Sequence, residues 1–212
     1  MDIENKERQG KIFIAFLILT VLVSLSFPNP QSDARDKTEQ PERVMDVTGV
    51  VPGMVIGEVG AGYGYFTFWL ARRVGESGKV YANDINRSAL SSIERKCREE
   101  GISNIETILG EVDDPLFPDN RLDMAFLVNS FHDLEKPVEL LDNLKASLKP
   151  GATVVIMDRD PAKFDDRSHH LLTREEVLEK IAASHFELER VETFLSQHTI
   201  YIIRPRNSEK SL

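Results

Sequence analysis

Val55-Ile56-Gly57-Glu58-Val59-Gly60-Ala61-Gly62-Tyr63-Gly64-Tyr65-Phe66 carries an apolar strand into a glycine-rich turn and then into the start of a helix. Glycine permits positive φ in such a turn. Lacking Cβ, it also lets the main chain approach a ligand while helix N–H groups point at it. The spacing narrows the kind of ligand. A dinucleotide-binding turn places glycines at its first, third and sixth positions. Counted from Gly60, the glycines here fall at the first, third and fifth, and Tyr65 takes the sixth.

On either side of this turn, short apolar runs alternate with amphipathic stretches, the pattern of a parallel sheet covered by helices. Strands are expected at Met54–Val59, Lys79–Asn83, Ile105–Leu109, Met124–Asn129, Thr153–Asp158, Phe186–Val191 and Thr199–Arg204. Helical periodicity falls at Tyr65–Val74, Ser88–Glu100 and Val138–Leu148, and Leu90, Ile93 and Cys97 share one face of the second. Cys97, Phe66 and Trp69 are therefore expected in the core. A further helix opens at Thr173, where Glu176 completes a capping box. About seven residues and no helix join the last two strands, which predicts a hairpin with an antiparallel edge strand. The fold expected is a single α/β domain over residues 44–206, a doubly wound seven-stranded sheet, followed by a short tail, 207–212.

The N-terminus is a different kind of sequence. Thirteen of the 16 residues from Ile12 to Phe27 are apolar; Lys6, Arg8 and Lys11 precede them and Pro28-Asn29-Pro30 closes the run. Sixteen helical residues span roughly 24 Å, short of the ~30 Å hydrocarbon core of a bilayer but near the upper length of a signal-peptide apolar region. Residues 1–27 are read as an uncleaved signal anchor, with a cleaved signal as the alternative. Apart from prolines, residues 28–43 hold a single alanine and no larger apolar residue, and they read as a linker.

Charge excludes one class of function. The chain of 212 residues carries a formal −9, and residues 44–212 alone carry −8, so phosphate backbones are repelled and a nucleic-acid partner is not expected. One cysteine excludes an intrachain disulfide framework and a multi-thiolate zinc site. His169-His170 has no further ligand at metal-site spacing in sequence and reads as a loop, so no metal is expected.

At Glu58-Val59-Gly60-Ala61-Gly62-Tyr63-Gly64 the sequence resembles the first motif of the class I S-adenosylmethionine-dependent methyltransferases, an acid, any residue, then Gly-x-Gly-x-Gly. Further motifs follow in order: Tyr81-Ala82-Asn83-Asp84, Asp113-Asp114-Pro115-Leu116-Phe117-Pro118, and Leu148-Lys149-Pro150-Gly151-Ala152, where Ala152 replaces a second glycine. The likeness covers roughly residues 44–204 and is greatest to the small-molecule branch that includes ubiquinone and menaquinone biosynthesis enzymes.

The resemblance implies a Rossmann-like fold, S-adenosyl-L-methionine as cofactor and a small methyl acceptor, lipophilic if Ile12–Phe27 anchors the chain. It also implies roles. Asp84 would accept hydrogen bonds from the ribose hydroxyls, and Gly60, Gly62 and Gly64 would line the turn beside the methionine. Glu58 would orient that loop or the cofactor's ammonium. Asp113 falls where the adenine amino group is met, with Glu111 or Asp114 as alternatives. Asn129 would lie beside the methyl group, and His132 is the candidate base for a hydroxyl or acidic-carbon acceptor. Two other readings remain open: a cofactor-binding protein without catalysis and a nucleotide-dependent oxidoreductase. The anchored domain is expected to face the cytoplasm, with export as the alternative.

Overall fold

The computed structural model describes residues 30–164 and 170–206, with side chains described from Ala34 onward. Helices α1 (Pro30–Glu39) and α2 (Pro41–Thr48) precede strand β1 (Val55–Val59). Then come α3 (Tyr65–Val74), β2 (Lys79–Asp84), α4 (Arg87–Glu100), β3 (Ile105–Leu109), β4 (Leu122–Val128), α5 (Pro137–Leu144), β5 (Leu148–Arg159), α6 (Arg174–Ala183), β6 (Phe186–Glu192) and β7 (His198–Pro205). The sheet runs β3-β2-β1-β4-β5-β7-β6. Strands β1 to β5 pair in parallel, and β7 is antiparallel to both of its neighbours.

The alternation of side chains along each strand builds two cores. Met124, Phe126 and Val128 of β4, Val155 and Met157 of β5, and Ile200 and Ile202 of β7 pack with Val44 and Met45 of α2 and Phe66, Leu70 and Val74 of α3. The intervening residues Ala125, Leu127, Val154, Ile156, Tyr201 and Ile203 meet Leu140, Leu141 and Leu144 of α5 and Val177 and Ile181 of α6. Successive strand residues face opposite sides, so the near-continuous apolar runs of β4, β5 and β7 require helices on both faces.

The hairpin expected at the C-terminus is present, but its antiparallel strand β7 lies one place in from the edge, and β6 is the edge. Burial explains the order. Residues 198–203 of β7 are all buried, whereas Leu188, Glu189 and Arg190 of β6 are exposed, so β6 takes the edge.

Four other expectations change. The stretch read as a linker is helical: α1 lacks an apolar face, and polar contacts hold its residues from Arg35 to Glu39. Arg35 pairs with Glu39 at 2.7 Å and stacks on the Tyr65 ring, while the Tyr65 hydroxyl donates to Asp36 at 2.6 Å. The helix expected to reach Leu148 stops at Leu144 and passes through a 3-10 turn at Lys145–Ser147. Strand β5 then begins at Leu148 rather than Thr153, because Leu148 pairs with Leu122 ahead of an irregularity that accommodates Pro150 and Gly151. Cys97 and Trp69 are only partly buried, each packed against the margin of an apolar cluster.

Among the described residues no helix is long and apolar enough to cross a membrane. The run Ile12–Phe27, residues 165–169 including His169, and the tail 207–212 lie outside the described residues.

Candidate active site

Strand order decides where a ligand can sit. The chain leaves β1 for β2 and β3 on one side and returns to β4 on the other, so a crevice opens beyond the carboxyl ends of β1 and β4. A cavity of about 330 Å³ lies there, lined by residues that include Gly60, Asp84, Ile85, Glu111, Val112, Asn129 and Asp133.

The glycines of the turn do different work. Gly60 has φ +73°, and a Cβ built on it would lie 2.5 Å from Cβ of Ser130, whose hydroxyl donates to the Val59 carbonyl at 2.9 Å. Gly64, at φ +86°, begins α3; its Cβ would meet Phe68 and Ile93 at 2.8 and 2.9 Å, so it serves close packing and does not line the cavity. The N–H of Gly62 is given to Oδ2 of Asp84 at 2.7 Å, and Oδ1 of the same carboxylate accepts from Asn86 N at 2.8 Å. Asp84 is thereby held at the cavity wall. A carboxylate has about four lone-pair sites, so two such bonds leave acceptor capacity for a ligand's hydroxyls.

Glu58 is 2% exposed and lies behind the turn, outside the cavity lining. Its Oε2 accepts from the Thr67 hydroxyl at 2.5 Å. Burial pushes its carboxyl up to about 8, opposed by the Thr67 hydrogen bond and by Arg35. Burial thus favours its protonated form around neutral pH.

The loop after β3 differs from the sequence expectation. Asp113 does not line the cavity. Its carboxylate pairs with Lys136 at 2.7 Å, and its carbonyl accepts from Asn143 at 2.8 Å. The Lys136 bond holds the Asp113 carboxyl below its usual range. Glu111 and Val112 occupy the cavity wall instead. Buried Asn83 sets this register by donating to the Pro115 carbonyl at 2.9 Å.

Two residues that the sequence reading passed over complete the wall. Ile85 and Val112 are 64% and 37% exposed, and both face the cavity, which suits an apolar clamp for a flat ring. The signal available in sequence was an apolar residue directly after the strand-end acid Asp84.

Asn129, at φ +53°, lines the cavity with its side chain hydrogen-bonded at both ends. Its amide donates to Glu39 at 3.0 Å and its Oδ1 accepts from His198 Nε2 at 2.9 Å. Burial pushes His198 down to about 4, so the ring is neutral, and the contact with Oδ1 places its proton on Nε2. Burial also raises Glu39 above the usual carboxylate range. One N–H and one lone pair of the Asn129 amide remain for a ligand, beside the Asn129 main chain.

His132 does not line this cavity. Nδ1 lies 2.6 Å from Oδ1 of Asp158, and the His132 main-chain N–H donates to Oδ2 of the same carboxylate at 2.9 Å. The Asp158 hydrogen bond raises the imidazole above its usual range.

The methyltransferase-domain family matches residues 56–151, the span from β1 to the start of β5. A solved S-adenosylmethionine-dependent methyltransferase from Aquifex aeolicus has the same fold, with a TM-score of 0.75 and 27% identity, over 82% of this chain and 93% of that one. The chain's β1-to-β5 segment thus matches a methyltransferase domain, and its fold is that of a solved S-adenosylmethionine-dependent methyltransferase. Among curated relatives, the ubiquinone/menaquinone biosynthesis C-methyltransferase of Escherichia fergusonii is 30% identical over 138 residues, 61% of this chain and 55% of that one. The chain thus spans about half the length of the curated relatives it matches. Geranyl diphosphate C-methyltransferase from Streptomyces coelicolor shares the fold, with a TM-score of 0.65 at 16% identity over 82% of this chain and 80% of that one.

The residues present fit the family's cofactor. Gly60 brings bare main chain to the cavity wall, Asp84 is an anchored anion at the carboxyl end of β2, and Ile85 and Val112 offer apolar walls.

Proposed function

We propose that the chain transfers a methyl group from S-adenosyl-L-methionine to a small-molecule acceptor. The observation that carries the reading is the cavity at the ends of β1, β2 and β4, in which Asp84 is fixed by Gly62 and Asn86 beside the bare Gly60. The cofactor, when bound, supplies an electrophilic methyl on a sulfonium. The protein's part is to position the reactants and exclude water.

Asp84 would accept the ribose hydroxyls, with Ile85 and Val112 flanking the adenine and Glu111 meeting its amino group. Gly60 and the Asn129 main chain would lie along the methionine. Glu58, ionising as the cation enters, would stabilise the positive charge through the wall of the turn. His132 has the wiring of a base but stands outside the cavity lining, so the reading assigns no proton transfer to it there.

The acceptor is proposed to be a lipophilic, quinone-like ring. Support comes from the Escherichia fergusonii relative, a ubiquinone/menaquinone biosynthesis C-methyltransferase, and from the apolar run at Ile12–Phe27, which would hold the domain where such substrates concentrate. The domain would face the cytoplasm, where the cofactor is made. The test is incubation of the full chain with methyl-labelled cofactor and either a membrane lipid extract or a pool of water-soluble metabolites. Label is expected in the lipid fraction, together with S-adenosylhomocysteine. Label in the water-soluble pool alone would overturn the acceptor class, and no S-adenosylhomocysteine from either pool would overturn transfer. Protease protection of residues beyond Val44 inside intact cells supports the cytoplasmic placement, and digestion there refutes it.

A further inference from the structure

At the rim of the cofactor cavity, the structure brings His170 up to the neighbouring pair His132 and Asp133. Nε2 of His132 lies 3.5 Å from Oδ2 of Asp133, and Nε2 of His170 lies 2.9 Å from Oδ1 of the same carboxylate. One donor atom from each residue falls within 4.8 Å of the others, and the two imidazole rings meet edge to face at 5.2 Å. We propose that His132, Asp133 and His170 bind a divalent transition-metal ion through three protein ligands.

The distances suit an ion. With metal–ligand bonds of about 2.0–2.1 Å, neighbouring donors stand roughly 2.9–3.4 Å apart at right-angle or tetrahedral geometry. The two Asp133 contacts bracket that range, so small side-chain rotations complete the set. A second, independent feature is the hold on His132. Asp158, itself 4% exposed, accepts from both Nδ1 and the main-chain N–H of His132. This fixes the proton on Nδ1 and turns the lone pair on Nε2 towards Asp133 and His170. A carboxylate behind a ligating imidazole is the usual outer support of such sites. Two imidazoles and one carboxylate select zinc, cobalt, nickel, iron(II) or manganese over calcium or magnesium.

Three protein ligands leave at least one position open. Asp133 also lines the cofactor cavity, which places that opening at its rim. On the methyl-transfer reading, on which this last step rests, the ion would hold an oxygen of the acceptor.

The test uses the full chain without a polyhistidine tag, stripped with chelator and titrated with Co²⁺ in the absence of cofactor, followed by visible absorption and calorimetry. One ion per chain is expected. His170→Ala and Asp133→Ala should each weaken binding at least about tenfold, and Asp158→Asn roughly 10- to 100-fold. The His170 side chain is 60% exposed, so H170A should melt like the parent and bind S-adenosylmethionine to within about twofold. Absence of Co²⁺ binding at submillimolar concentration, or binding that H170A leaves unchanged, overturns the proposal. Cobalt binding with no affinity for S-adenosylmethionine would instead overturn the methyl-transfer reading and leave the metal site standing.

Discussion

Replacing Glu58 with Gln isolates the cost of burying an acid behind the glycine turn. The carboxyl of Glu58 titrates near 8 in the folded chain against 4.5 when free, because burial removes its hydration. Between those values the folded state holds a proton that the unfolded state has lost, so stability falls as pH rises from about 4.5 to 8 and levels off above. Each unit of pKa difference is worth about 1.4 kcal/mol. Integrated over the window, the penalty is roughly 1 kcal/mol at pH 5, 3 at pH 7 and 5 at pH 9. Gln keeps an oxygen to accept from Thr67 and cannot ionise. Glu58→Gln should therefore gain on the parent chain by about 4 kcal/mol between pH 5 and pH 9. Guanidinium unfolding of both chains at pH 5, 7 and 9 reads this difference, and every other titrating group cancels in the comparison. Parallel curves within about 1 kcal/mol would refute the reasoning. They would mean that Glu58 is ionised in the folded chain and held there by Arg35.

Other perturbations separate the parts of the cavity. Asp84→Asn removes the negative charge that would meet the ribose; hydrogen bonds to charged groups are worth about 1.5–3 kcal/mol. Calorimetry should therefore show S-adenosylmethionine affinity falling roughly 10- to 100-fold, and an unchanged affinity would remove Asp84 from the site. Gly60→Ala forces a Cβ at positive φ to within 2.5 Å of Ser130, which should destabilise the fold by about 1–3 kcal/mol and abolish measurable cofactor binding; normal binding would mean that the turn yields freely. Asp113→Asn should leave cofactor affinity within about twofold, because the carboxylate faces Lys136 in solvent. A large loss would show that the loop after β3 turns over when the cofactor binds.

Much of this site follows from local chemistry and can be read along the chain. The strand, glycine turn and helix from Val55 to Phe66 are set by short-range constraints on φ and by apolar periodicity, and Asp84 ends its strand as expected. The capping box at Thr173 and Glu176 forms with both hydrogen bonds. What escaped the sequence depends on partners distant in the chain. Residues Arg35 to Glu39 of helix α1 are held by Tyr65 and Asn129, 29 and 90 residues from the groups they bind, so the helix's own composition looks like that of a linker. Asp113 and Glu111 are two residues apart in one loop, and which of them faces the cavity is decided by Asn83, Lys136 and Asn143. His132 has the residue type of a base, but its orientation comes from Asp158, 26 residues on. Gly64 matched a ligand-binding pattern, and the structure uses it for packing against Phe68 and Ile93.

Calorimetric titration of the full chain with S-adenosylmethionine, repeated with S-adenosylhomocysteine and with a nicotinamide dinucleotide, addresses the assignment of the cavity directly. One S-adenosylmethionine per chain is predicted, displaced by S-adenosylhomocysteine, weakened by Asp84→Asn and untouched by the dinucleotide. Saturable binding of the dinucleotide with none of the sulfonium compound would contradict the account.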